Sequence, residues 1–181
     1  MKFNHLKGYE SVTLPTETID GKRYYTTPEG KNYPSVTSVT GLMNRKGIEA
    51  WRKWVGEEQA NKISSQAANR GTRYHYMMED FINNIDIDER LAKATPLDQM
   101  MFNQTREITE KLGDIYMLEG SLYSDELMMA GRVDCIADFA GKISVIDFKT
   151  STKRKTQSRC KSYFVQETAY AKMFEERYQI P

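Results

Sequence analysis

The residues best equipped for chemistry lie between Gly131 and Ser151, in the run Gly131-Arg132-Val133-Asp134 … Asp147-Phe148-Lys149-Thr150-Ser151. A two-residue turn at Ala140-Gly141 would pair Phe139 with Lys142, Ile136 with Val145 and Asp134 with Asp147. Directly opposed residues on an antiparallel ribbon have Cβ atoms ~5 Å apart. Lys149, two residues beyond Asp147, shares its face. Two carboxylates this close repel each other, and burial deepens the cost. A divalent cation removes the conflict, and oxygen ligands favour Mg²⁺ or Mn²⁺. Such an ion stabilises charge on a phosphate and lowers the pKa of bound water. A lysine beside it orients or deprotonates that water. The arrangement suits phosphodiester hydrolysis. The plain alternative is a Lys/Asp pair on an ordinary hairpin, since an isolated Asp-x-Lys is a weak signal.

The pattern around these residues indicates what must hold them. One face of the ribbon reads Asp134, Ile136, Ile143, Val145, Asp147, Lys149; the other reads Val133, Cys135, Ala137, Phe139, Ile146, Phe148. Both faces have apolar centres, so both should be covered. A further strand is expected over 115–123 and a long helix over 162–178, with Phe164, Ala171, Phe174 and Tyr178 as its core stripe. Upstream, 47–83 reads as helical with a break near Gly71 and an N-cap at Thr72, and 96–113 as another helix. Trp51 and Trp54 read as core residues, and the paired methionines as core filler. Two β-favouring runs around Pro28-Glu29-Gly30 read as a hairpin. The first ~20 residues read as loosely held. The order of helices, three strands and a helix predicts an α/β (α+β) fold, an antiparallel meander flanked by helices. Residues 1–45 form an N-terminal extension with the hairpin, and 46–181 the main body of what is a single domain overall.

Composition bounds the function. The chain has 181 residues, 39% hydrophobic and 28% charged, enough for a core and too polar for a membrane protein. The first residues lack the apolar stretch of a signal peptide, so an intracellular protein is expected. A net charge of +1 excludes binding nucleic acid through bulk charge alone, though not through a local basic patch. Two cysteines, Cys135 and Cys160, are too few for a four-ligand zinc or iron–sulfur site and are expected to be reduced. Lys153-Arg154-Lys155 leaves the ribbon at its polar end, where a phosphate backbone would run. Arg70 and Arg73 are candidates for the same patch, and Tyr163 for stacking on a base.

The run from Gly131 to Lys149 resembles the PD-(D/E)xK nuclease superfamily, and most of all its RecB-type exonuclease branch of phage and mitochondrial genome-maintenance exonucleases. Asp147-Phe148-Lys149 matches the acidic-x-Lys element, and Gly131 to Asp134 the Gly-x-x-Asp that precedes it. Val133 stands where many members have proline. Gly71-Thr72-Arg73-Tyr74-His75 resembles the Gly-Thr-x-x-His motif, Gln166 to Tyr170 the Gln-x-x-x-Tyr helix motif, and Tyr33 to Thr37 an opening segment of the phage and mitochondrial members. Glu119 sits where the branch places an acid on its first strand.

The resemblance implies a restriction-endonuclease-like core. It implies metal ligands His75, Glu119, Asp134, Asp147 and the Phe148 carbonyl, with Lys149, Gln166 and Tyr170 in the catalytic set. His75 suits Mn²⁺ better than Mg²⁺. Glu79, one turn beyond His75, reads as an exposed helix carboxylate or as an acceptor for the imidazole. The branch adds a strand after the last helix, so an exposed sheet edge and self-association through it are expected. No iron–sulfur cluster is expected. The expected activity is Mg²⁺- or Mn²⁺-dependent exonuclease action on DNA ends, with a helicase or recombinase as candidate partner. The expected setting is the cytoplasm of a bacterial or phage-infected cell. The rivals are a structure-specific or restriction-type endonuclease on the same fold and an inactive DNA-end-binding module.

Overall fold

The structure is a computed structural model that describes residues 2–180. Its centre is an antiparallel sheet of β4 (Leu112–Ser124), β5 (Met129–Phe139) and β6 (Lys142–Ile146), in that order. The β5–β6 turn falls at Ala140-Gly141, both with positive φ, and pairs Phe139 with Lys142 and Ile136 with Val145. The ladder ends at Cys135 with Ile146. The strand expected to reach Lys149 therefore stops three residues short, and Asp147, Phe148 and Lys149 leave the sheet as a connection. Strand β5 is buried on both faces, as its two apolar patterns require. Ile136 packs with Ala169, Met173 and Phe174 of α5 (Lys161–Tyr178), while Cys135 and Ala137 pack with Phe3 and with Ile82 of α2 (Glu57–Ile82).

The helical region differs from expectation in where it breaks. Helix α1 (Val36–Val55) starts at Ser35, whose hydroxyl accepts from the Ser38 amide, and ends at Gly56. Gly56 has φ 86°, a left-handed conformation that glycine adopts without a Cβ clash. Helix α2 then runs unbroken through Gly71. Thr72 is an interior residue and caps nothing, because a glycine inside a helix weakens it without ending it. Helices α3 (Asp88–Lys93) and α4 (Pro96–Thr109) follow, and Phe102 of α4 packs against Tyr74, Met77 and Met78 of α2.

Several expected core positions face outward. Trp54 is 83% exposed, and Met100 and Phe164 are also exposed. In α5 the expected Phe174 is in the core, where it is joined by Ala169, Tyr170 and Met173, with Tyr178 packed against them, while Phe164 faces outward. The N-terminus is held tightly. His5 bridges to Ile115 at the start of β4, the Asn84 side chain makes two hydrogen bonds to the Phe3 backbone, and Phe3 is buried. These partners lie far along the chain, which local sequence does not reveal. A second sheet of β1 (Thr16–Ile19), β2 (Lys22–Thr26) and β3 (Asn32–Pro34) includes the expected hairpin plus one outer strand. A bridge from Ser35 to Ala130 ties it to β5.

Candidate active site

Three acids lie side by side across the central sheet. Asp134 is on β5. The β4 register, with Leu118 opposite Cys135 and Gly120 opposite Val133, sets Glu119 opposite Asp134 on one side. The β6 register, carried one step past Ile146, brings Asp147 to the other. Glu119 has φ 50°, left-handed for a residue with a Cβ, and such strain persists only where the surroundings enforce it.

Helix α2 crosses this row of acids and supplies His75. Its Nδ1 lies 3.4 Å from Asp134 Oδ2. Atoms of His75, Glu119 and Asp134 fall within 4.8 Å of one another, close enough to share one ion. The ring of Phe148 stands edge-on to both His75 and Tyr74, and the Phe148 amide donates to Asp134 Oδ2 at 2.8 Å. That hydrogen bond ties the segment after β6 to the Asp134 side chain where the regular ladder has ended. Arg132, two residues before Asp134 and so on its face, pairs with Glu119 at 2.6 Å. Burial, only partly offset by Arg132, pushes the Glu119 carboxyl up to about 7; Asp134 and Glu79 push in the same direction.

Asp147 is almost wholly buried. Its Oδ1 is ion-paired with Lys149 and accepts from Gln166 Nε2 at 3.0 Å. Its Oδ2 is buried with no hydrogen-bond partner among the described residues. Burial holds its carboxyl above the usual carboxylate range, against the pull of Lys149. A buried carboxylate oxygen without a partner is costly, and a cation coordinated there would remove the cost. The donor set of His, Glu and two Asp, with one orphaned oxygen, fits a hard divalent ion.

The remaining candidates divide between this site and its surroundings. Lys153, Arg154, Lys155 and Tyr163 line a groove of about 550 Å³ together with Asp147, Lys149 and Glu167. Lys155 and Lys149 both approach the Tyr163 ring, at 4.4 and 5.8 Å. Arg73 is turned away: its Nε pairs with the buried Asp98 of α4 at 2.8 Å, and Arg70 adds to the positive field there. Tyr170 is buried with its hydroxyl against Gly131, so it supports the floor of the site and is closed off from solvent. Glu79 lines the cleft over His75 and Glu119.

Three lining residues were missed in the sequence. Arg132 was legible, since two residues' separation on a strand keeps it on Asp134's face. Arg23 enters the cleft from β2, and nothing local signalled it. Glu167, beside Gln166, is pushed upward by burial and by Asp147.

A family model described as the PD-(D/E)XK nuclease superfamily matches residues 46–180. The chain belongs to this superfamily. The match runs from within α1 to just past α5 and includes all three acids, His75 and Lys149. The two antiparallel sheets and their helices are consistent with the superfamily's restriction-endonuclease-like fold. Among curated proteins, the human protein named mitochondrial genome maintenance exonuclease 1 is 27% identical over 134 residues, covering 67% of this chain and 38% of its own length. The proteins of that name from Xenopus tropicalis and Mus musculus are 27% and 26% identical, covering 62% and 67% of this chain and 33% and 38% of their own lengths. The chain thus spans only about a third to two-fifths of the curated relatives it matches. Among the described residues no helix is long and apolar enough to cross a membrane.

Proposed function

We propose that this superfamily member is a DNA exonuclease of RecB type that depends on Mg²⁺ or Mn²⁺. The observation that carries the reading is the row Glu119–Asp134–Asp147, with His75 beside Glu119 and Asp134, Lys149 paired with Asp147, and the second Asp147 oxygen buried with no partner among the described residues. His75, Glu119, Asp134 and Asp147 would hold the ion, together with the Phe148 carbonyl. The bound ion would supply charge neutralisation at the phosphate and a more acidic water. Lys149 orients the attacking water and stabilises charge developing on the phosphoryl oxygens. Gln166 holds Asp147 in place through its side-chain amide. Phe148 fixes Asp134 through its backbone and packs His75 with its ring. Lys153, Arg154, Lys155 and Tyr163 receive the DNA backbone and a base in the groove that opens onto Lys149. Arg73, paired with Asp98, is turned away from this groove. A helicase or recombinase partner and a bacterial or phage-infected cytoplasm follow from the motif resemblance alone.

The test is degradation of end-labelled single-stranded and duplex DNA with Mg²⁺ or Mn²⁺, with Lys149→Ala as control. Activity in EDTA, or a fully active Lys149→Ala, overturns the mechanism. Cleavage of a covalently closed circle marks an endonuclease instead. A wild-type protein that takes up no Mn²⁺ in isothermal titration marks an inactive end-binding module.

A further inference from the structure

We propose that the cleft between the β1–β2 turn and α1 is a binding site for single-stranded DNA, which it guides to the acidic row; this rests on the nuclease reading above. The cleft measures about 560 Å³ and lies within the second, N-terminal sheet and the start of α1. All of its lining residues precede residue 50, and all but Ile48 and Glu49 precede residue 46, where the superfamily match begins. Neither the motifs nor the match assigns this sheet any role.

Three observations identify the occupant. The first is continuity. Arg23 lines both this cleft and the one over His75, Glu119 and Asp134, so one extended ligand can occupy the two in succession. The second is charge. Lys22, Arg23 and Arg45 face the cleft against a single acid, Glu49, and the whole chain carries a net charge of only +1. Three cations in one cleft of an almost neutral chain make a local anion-binding site. Arg45 and Glu49 pair at 2.7 Å on the exposed surface of α1, and an exposed pair of this kind is weak enough for a phosphate to replace. The third is the apolar wall. Leu42 and Ile48 are 55% and 50% exposed and line the same cleft. A duplex keeps its base faces stacked inside, whereas a single strand presents them to such a wall. Phosphates on the cations and bases on Leu42 and Ile48 describe one strand, not two.

The test is fluorescence anisotropy of a labelled oligothymidine long enough to reach from the acidic row through the cleft. It is measured in EDTA across roughly 50 to 200 mM salt. Each cation–phosphate contact on a single strand contributes ~0.7 to the slope of log affinity against log salt. The Lys22→Ala/Arg45→Ala variant should lose about 1.4 of that slope and bind roughly tenfold more weakly. Lys142→Ala, at the far end of the β5–β6 ribbon, should match wild type. Glu49→Gln, which frees Arg45 and removes the opposing acid, should bind more tightly, a gain that misfolding does not produce. A double variant with the full slope, on a wild type that degrades DNA, overturns the cleft alone. A wild type that neither binds the oligonucleotide nor degrades DNA overturns the nuclease reading and the cleft together.

Discussion

Replacing Gly131 by alanine should push Tyr170 out of its seat and disturb the hold of Gln166 on Asp147. A Cβ at residue 131 would sit 2.6 Å from the Tyr170 hydroxyl, 2.7 Å from Cε1 and 3.1 Å from Cζ. Unstrained carbon contacts lie at about 3.5–4.0 Å. The ring therefore has to move by roughly 1 Å, the shortfall in that spacing. It is buried among Val133, Ala169 and Met173 and has no open side to move into. Overpacking of this kind costs ~1–3 kcal/mol. At about 3 °C per kcal/mol for a chain of this size, the melting temperature should fall by roughly 3–9 °C. Tyr170 and Gln166 lie one turn apart on α5, and Gln166 contacts Asp147 at 3.0 Å. A shift of about 1 Å at the reacting groups is worth ~10² in rate. Thermal melting and the rate on end-labelled DNA measure the two effects together. In a Tyr170→Ala background the obstructing ring is gone, so Gly131→Ala should then be nearly neutral to stability. A single Gly131→Ala variant that melts within about 1 °C of wild type at full activity would refute the packing argument.

Asp147→Asn should abolish activity while raising the melting temperature of the metal-free protein at neutral pH. The Asp147 carboxyl titrates above its unfolded value, so the folded state binds more protons and loses stability as pH rises through that window. The same variant should lose most of the thermal shift that Mn²⁺ gives wild type. Lys149→Ala should lower the rate by ~10²–10⁴ on end-labelled DNA. Asp98→Ala should cost about 2–3 kcal/mol by urea denaturation, because it removes the buried partner of Arg73 and the Thr95 contact at 2.9 Å. Arg73 holds the Asp98 carboxyl below its ordinary value, so its contribution is complete above the unfolded pKa and is lost as pH falls through the lower folded one. The stability difference between wild type and Asp98→Ala should therefore shrink in acid; a constant difference would count against the ion pair.

The β5–β6 ribbon was legible because strand side chains alternate with period two. Once Ala140-Gly141 was placed at the turn, the facing of Asp134 and Asp147 followed without knowledge of the rest of the fold. The helices were less legible. Trp54 and Phe164 look apolar and periodic, yet both are exposed, because a stripe indicates amphipathicity and not which neighbour arrives to cover it. The break in the long helical region illustrates the same limit. Gly56 and Gly71 are the same residue type within one helical region, and only Gly56 adopts a positive φ.

The sequence by itself determined the turn at Ala140-Gly141, the pairing of the β5–β6 ribbon and the approach of Asp147 to Asp134, although the strand ends before Lys149. These depend on residues close together in the chain and on fixed backbone geometry. Only the tertiary structure decided that His75 meets Asp134, that Arg132 pairs with Glu119, that Arg73 belongs to Asp98, that Tyr170 lies beneath Gly131, and that Arg23 reaches the acidic row. Most of these contacts join segments tens of residues apart, and even the local pairing of Arg132 with Glu119 depends on the strand register. Their geometry is set by how the two sheets and α2 pack against one another, and no short-range pattern encodes it.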